Sequence, residues 1–111
     1  MANIYKNAKV DLTTASITTL YTTPSNSRSI VKSILVSNDS ANQTTITVTL
    51  TNAATAVFSL FALISVSAHS STQLLTEPLI MEESEILKVT AADANRLHVI
   101  ASILEINRED R

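Results

Sequence analysis

From Gln43 to Asn52 the chain alternates: Ile46, Val48 and Leu50 fall between Thr45, Thr47, Thr49 and Thr51. In an extended chain successive side chains point to opposite faces, so this stretch predicts a strand with one aliphatic and one hydroxylated face. Looser versions of the period run along the rest. Ile4 to Leu12 reads as a first strand or arm, with Ile4, Ala8, Val10 and Leu12 on one face. Ile17 to Thr23 is β-branched and predicts a second strand, ended by the Pro24-Ser25-Asn26-Ser27 turn. Arg28 to Ser37 predicts a longer strand, with Ile30, Ile34 and Val36 beside Lys32 on one face and Val31 and Leu35 opposite. Asn38 to Asn42 then turns the chain into the Thr-rich strand, and the two strands read as a hairpin.

Asn52-Ala53-Ala54-Thr55 reverses the chain again. The apolar run that follows, residues 56–67, fits a buried strand or a short buried helix; the surrounding pattern favours strand. Phe58 and Phe61 lie in it and are expected in the core. Short strands follow at Thr72 to Thr76 and Ile86 to Thr90, with a further apolar run at Leu79-Ile80-Met81 and an acidic corner at Glu82-Glu83-Ser84-Glu85. The last strand, Arg96 to Ile106, places Leu97, Val99, Ala101 and Ile103 on one face. About eight short strands at roughly 10-residue spacing predict an all-β chain, a single antiparallel β-sandwich of jelly-roll type.

Length and composition narrow this. A chain of 111 residues fits one domain over 1–111, with an arm at about 1–9 and a charged tail at 107–111. Charged residues are only 16%, and Ser and Thr fill the gap, which suits a surface whose neighbours can cover it without stranding charges. A net charge of −2 gives no basic patch for nucleic acid. No apolar stretch is long enough to span a membrane, and the first residues lack a secretory layout, so a cytoplasmic origin is expected. The glycosylation-like triplets at Asn38 and Asn42 then carry no meaning. There is no Cys, which excludes disulfides, thiolate metal sites and Cys nucleophiles. There is no Gly either, which excludes phosphate-cradling loops and the Gly-flanked Ser elbow, and leaves turns of positive φ to Asn and Asp.

Little chemistry remains. His69 lies in a Ser-rich loop and His98 in the last strand, with no metal-ligand spacing around either. Ser70 and Ser71 beside His69 lack an orienting carboxylate. Glu82, Glu83 and Glu85 read as a solvated corner rather than ligands or an acid pair. No catalytic, metal or cofactor residue is assigned. Tyr5 and Tyr21 are the better candidates for an exposed contact surface. The expected subunit or partner interface comprises Ile4 and Tyr5 on the arm, which could donate a strand or tether, and Thr45, Thr47, Thr49 and Thr51 on the hydroxylated face.

The segment from Leu74 to Val89 combines an apolar pair, Pro78-Leu79, a second apolar pair, the acidic corner and Ile86-Leu87-Lys88-Val89. With the later Val99-Ile100-Ala101-Ser102-Ile103-Leu104-Glu105-Ile106, it resembles small virion proteins of tailed phages. The opening Ala2 to Ala8, Leu20 to Pro24 and Ser29 to Ile34 are similar to β-rich structural proteins of marine phages. Members often carry Gly at the acidic corner, where this chain has Ser84, so a turn with negative φ is expected there. The resemblance implies a non-enzymatic particle component. It would be a capsid decoration (cement) protein on the head surface, or a neck, tail or fibre component. Its partners would be its own copies, a trimer being favoured, and the major capsid protein or other virion proteins, with neither nucleic acid nor membrane. A carbohydrate- or ligand-binding sandwich for host attachment is a distant alternative, short of aromatic residues.

Overall fold

The computed structural model describes residues 3–107, which form nine strands and no helix. They are β1 Asn3–Leu12, β2 Thr18–Thr22, β3 Ser27–Asn38, β4 Thr44–Thr51, β5 Val57–Val66, β6 Ser70–Gln73, β7 Leu79–Met81, β8 Ile86–Ala91 and β9 Leu97–Asn107. Leu79–Met81 is a strand in its own right, which raises the expected count by one.

The pairings are nested. β1 pairs β9, β2 pairs β8, β3 pairs β6 and β7, and β4 pairs β5, all antiparallel. The chain is thus one long antiparallel ribbon closed at the β4–β5 turn. The ribbon rolls so that β9 also pairs β3 and β8 also pairs β4. Two sheets result, β1-β9-β3-β6 with β7 beside β3, and β2-β8-β4-β5. This is the jelly-roll arrangement expected from the alternation. Between the sheets lie Leu12, Val31, Ile34, Val36, Leu97, Val99, Ala101 and Ile103 from the first, and Ile46, Val48, Val66, Leu87, Val89 and Ala91 from the second. Each large aliphatic side chain among them stabilises the fold by about 1.5–3 kcal/mol relative to exposure.

Two local readings change. β3 carries an extra residue between Val31 and Ser33 against β9, and that bulge reverses the parity of the strand. Val31, Ile34 and Val36 therefore point inward, while Ile30 shares the outer side with Leu35. The Asn38–Asn42 segment is not a hairpin turn, because β3 and β4 lie in different sheets and the segment crosses between them. Asn38 is the staple of that crossing. Its Nδ2 donates to the carbonyls of Asn42 (2.8 Å) and Val66 (3.2 Å), and its Oδ1 accepts from the Ser40 amide at 2.9 Å.

Positive φ is not confined to Asn and Asp. It occurs at Thr55 (68°), Leu63 (52°), His69 (53°), Ser84 (65°) and Asn95 (63°). A β-carbon in this region costs roughly 1–2 kcal/mol, so neighbours must hold these residues there. Asn52 does so for Thr55, its Oδ1 accepting from the Ala54 and Ala56 amides at 3.0 and 2.9 Å. The acidic corner keeps the left-handed turn that Gly would make, contrary to the expected negative φ. Ser84 adopts it because its amide donates to the Thr23 carbonyl at 3.2 Å while Glu85 Oε1 accepts from the Glu82 amide at 2.8 Å.

Candidate assembly interface

The expected interface residues fall in two places. From Asn3 onward the expected arm is an edge strand, paired residue by residue with β9 of the same chain, and is not a segment free to reach another subunit. Ile4 and Tyr5 are exposed on it, by 49% and 73%. Tyr5 begins an apolar ladder across the outer face of the first sheet: it sits opposite Leu104, which sits opposite Ile30, which sits opposite Ile80. Lys32, the bulged residue of β3, places its ammonium 5.6 Å from the centre of the Tyr5 ring. Strands lie about 4.8 Å apart, so the ladder spans roughly 14 Å.

Thr45, Thr47 and Thr49 lie half-buried on the outer face of the second sheet. They face Ser65, Thr90 and both Ser59 and Lys88 respectively. Thr47 Oγ1 accepts the Leu63 amide at 3.2 Å, so one hydroxyl of the row is committed within the chain. Thr51 leaves the row. It is buried, and its hydroxyl has no hydrogen-bond partner.

Tyr21 is not a surface residue. A bulge in β2 between Thr19 and Tyr21 turns both Leu20 and Tyr21 inward. The Tyr21 hydroxyl donates to Glu105 and lies 2.6 Å from Ser29 Oγ. Its one proton goes to the carboxylate, so Ser29 donates to it. Lys6 closes the group, with Nζ 3.2 Å from Glu105 Oε2. Four side chains from β1, β2, β3 and β9 thus join the two sheets at one end. Burial, and then the bond to Glu105, hold the Tyr21 hydroxyl well above the ordinary tyrosine range.

The exposed apolar strand that sequence reasoning missed is β5. Val57 is 63%, Phe58 51% and Leu63 70% exposed, and Phe61 only half-buries against the core. Phe58 therefore leaves the expected core. β5 is the outer strand of its sheet and carries an extra residue between Ile46 and Val48, and another between Val48 and Thr49. A signal was present elsewhere in the chain: from Ser40 to Thr76 there is no Asp, Glu, Lys or Arg. That stretch builds β4, β5 and β6, and β5 and β6 meet along one side of the sandwich. β5 itself carries no Asp, Glu, Lys or Arg, while Lys88 of β8 faces Thr49 and Asp39 borders Ser70 and Ser71.

The histidines and acidic residues meet in small groups. The fold brings His98 between Asp11 (Nε2 to Oδ1, 3.3 Å) and Asp39 (Nδ1 to Oδ2, 3.9 Å). Asp39 also lines a shallow groove of about 360 Å³ with His69, Ser70 and Ser71. Among the described residues, no three His, Asp or Glu side chains are placed to hold a metal ion. The described residues contain no helix long and apolar enough to cross a membrane.

No protein-family profile matches the chain, and no curated protein matches it in sequence. Solved structures do match in fold. A chain of Bacillus endospore appendages, a family of disulfide-linked pili, aligns at TM-score 0.58 and 11% identity, over 95% of this chain and 88% of that one. A chain from the acid-stable capsid of Helicobacter pylori bacteriophage KHP30 aligns at TM-score 0.58 and 11% identity, over 96% and 89%. At such identity the likeness is one of fold, and this chain, having no Cys, has no counterpart to the disulfide links. The chain is an all-β sandwich that shares its fold, over nearly its whole length, with a pilus chain and a phage capsid chain.

Proposed function

We propose that the protein is a non-enzymatic structural component of a virus particle, and within that role a decoration (cement) subunit of a phage head. The observation that carries this reading is the charge-free edge strand β5 with exposed Val57, Phe58 and Leu63, on a fold found in a phage capsid chain. A neutral surface rich in hydroxyl and apolar groups suits lasting burial against other subunits, because covering it strands no charge. The apolar ladder from Tyr5 to Ile80 offers a second contact surface on the first sheet. One surface serves contact between copies, a trimer being favoured, and the other serves the major capsid protein. Binding only the assembled head stabilises it by mass action, by about 2.7 kcal/mol per site at a free concentration of a hundred Kd.

Mass spectrometry and cryo-electron microscopy of purified particles test this. Many copies on the head, in fixed proportion to the major capsid protein, are expected. Absence from heads with presence in tails overturns the decoration role. The likeness to a pilus chain favours a second reading, a neck, tail or fibre component built by repeated end-to-end contacts. That reading places the protein outside the head, with only a few copies per particle in the case of a neck component.

A further inference from the structure

We propose that β5 is a two-state strand, in which Phe61 moves between the core and the outer face as two bulges form and vanish together. This goes beyond the virion role and does not depend on it. The register of β5 against β4 carries the inference. Ile64 lies opposite Ile46, Phe61 opposite Val48 and Ser59 opposite Thr49. Residues opposite one another share a face, so Ile64 and Phe61 both point inward with the fully buried Ile46 and Val48. Strict alternation from Ile64 sends Ala62 inward and Phe61 outward. The first bulge reverses that parity and the second restores it, so Ser59 and Phe58 face as an uninterrupted strand places them. The two extra residues thus do one thing: they set a phenyl ring against the core where a methyl group would lie. Phe61 packs there half-buried, while Ala62 is exposed.

The strain of that exchange falls on Leu63. Its φ is 52°, a region that disfavours a β-carbon, and its amide donates to the Thr47 side chain. Burial of one ring and strain at its neighbour oppose each other, which is the condition for two states of similar free energy. One end of β5 is fixed, since Val66 is fully buried and its carbonyl accepts from Asn38 Nδ2. The other end is loose, Val57 and Phe58 being more than half exposed. The second state is therefore a slide of the loose end by two residues, which keeps the facing of the rest of the strand. Ala62 then faces Val48, Phe61 faces Thr49 and Ser59 faces Thr51. Leu63 becomes extended, and Phe61 and Leu63 stand together on the hydroxylated face.

The absence of Cys permits disulfide trapping in the full chain. Thr49→Cys with Ser59→Cys marks the bulged register, in which the two positions are opposite. Thr51→Cys with Ser59→Cys marks the slid register. In the bulged register these two sit diagonally, about 7–8 Å apart and beyond disulfide reach. Lys9→Cys with His98→Cys is the same diagonal on the bulge-free pair of β1 and β9. Closure in a glutathione buffer is followed by mass spectrometry, with the fold checked by circular dichroism. The 51/59 pair should close roughly 10- to 1000-fold more slowly than the 49/59 pair, as a minor state of about 0.1–10% requires, and ahead of the 9/98 control. Adding Phe61→Ala should speed the 51/59 closure about fivefold, since the bulges then bury no ring. Adding Leu63→Gly should slow it about fivefold, since glycine relieves the bulged backbone, and this variant stays informative where Phe61→Ala fails to fold. The switch is overturned if the 51/59 pair stays open, closes no faster than the control, or closes at a rate that neither substitution changes.

Discussion

The two long edges of the sandwich, β1 and β5, are each ten residues, but they meet water differently. β1 runs in unbroken register along β9 and carries Lys6, Lys9 and Asp11. β5 shifts register twice against β4 and carries no charge at all. An open edge invites pairing with another chain, and proteins blunt it with charges or with bulges. β1 uses the first device and β5 the second. Charges must lose their hydration before a neighbour can cover them, whereas bulges disturb strand pairing and still permit side-chain packing. The difference leaves β5 the apolar edge and β1 the charged one.

The contrast can be broken at its support. Ile46 is fully buried in β4, directly inside β5. Ile46→Ala should cost about 2–5 kcal/mol, read as a lower midpoint in urea, and should loosen β5 before β1 in hydrogen exchange. Equal loosening of both edges would show that they do not behave as separate units.

The β1 side has its own anchor in Glu105. Glu105→Ala removes the acceptor of Tyr21 and the partner of Lys6, and should cost about 1–3 kcal/mol while freeing β1 amides to exchange. The same anchor gives a pH dependence. The unfolded chain loses the Tyr21 proton near the ordinary value of 10.0, while the folded chain keeps it to higher pH. Above pH 10 the folded state holds more protons, so stability falls as pH rises, by up to about 1.4 kcal/mol per unit from this group, until folded Tyr21 ionises too. Tyr21→Phe should flatten that limb in alkaline urea titrations. An unchanged slope would exclude Tyr21 as its source.

Two smaller changes sharpen the comparison. Thr47→Val leaves the Leu63 amide without its acceptor, and should cost about 1 kcal/mol in thermal melts, with the effect confined to the β5 edge. Lys32→Ala removes the ammonium from the Tyr5 ring, and should cost only about 0.5 kcal/mol, because that contact is exposed.

What the sequence made legible depended on regularity. β9 alternates without interruption, and Leu97, Val99, Ala101 and Ile103 all lie inside, as their spacing predicts. Ile46 and Val48 do likewise in β4. The errors lie where a strand gains a residue. One bulge in β3 moved Ile30 outward and Val31 inward, and one in β2 buried Tyr21. A bulge depends on how the partner strand registers, which a local pattern does not contain. β5 was misjudged for another reason. An apolar run reads as buried, yet burial depends on whether anything covers the strand, and the described residues leave Val57, Phe58 and Leu63 more than half exposed. Its missing charges were in plain view, but they give a composition and not a position. His69 and Ser84 show the same limit for turns, since their amides donate to the distant Ser40 and Thr23 carbonyls, and such tertiary bonds hold a left-handed residue that propensity disfavours.

The nested ribbon also has a temporal side. β4 and β5 are joined by a five-residue connection, 52–56, whereas β1 finds β9 from the far end of the sequence, Asn3 opposite Ile106. Closing a short loop loses less chain entropy than closing a long one, so the ribbon should zip from its closed end outward. Pulse-labelled hydrogen exchange during refolding should then protect β4 and β5 before β1, and the reverse order would exclude such zipping. The strands that take shape first are thus the sticky ones, present while the rest of the chain is still finding its place. For this molecule the expected order of folding puts its most apolar edge on display at the stage when the chain is least able to shield it.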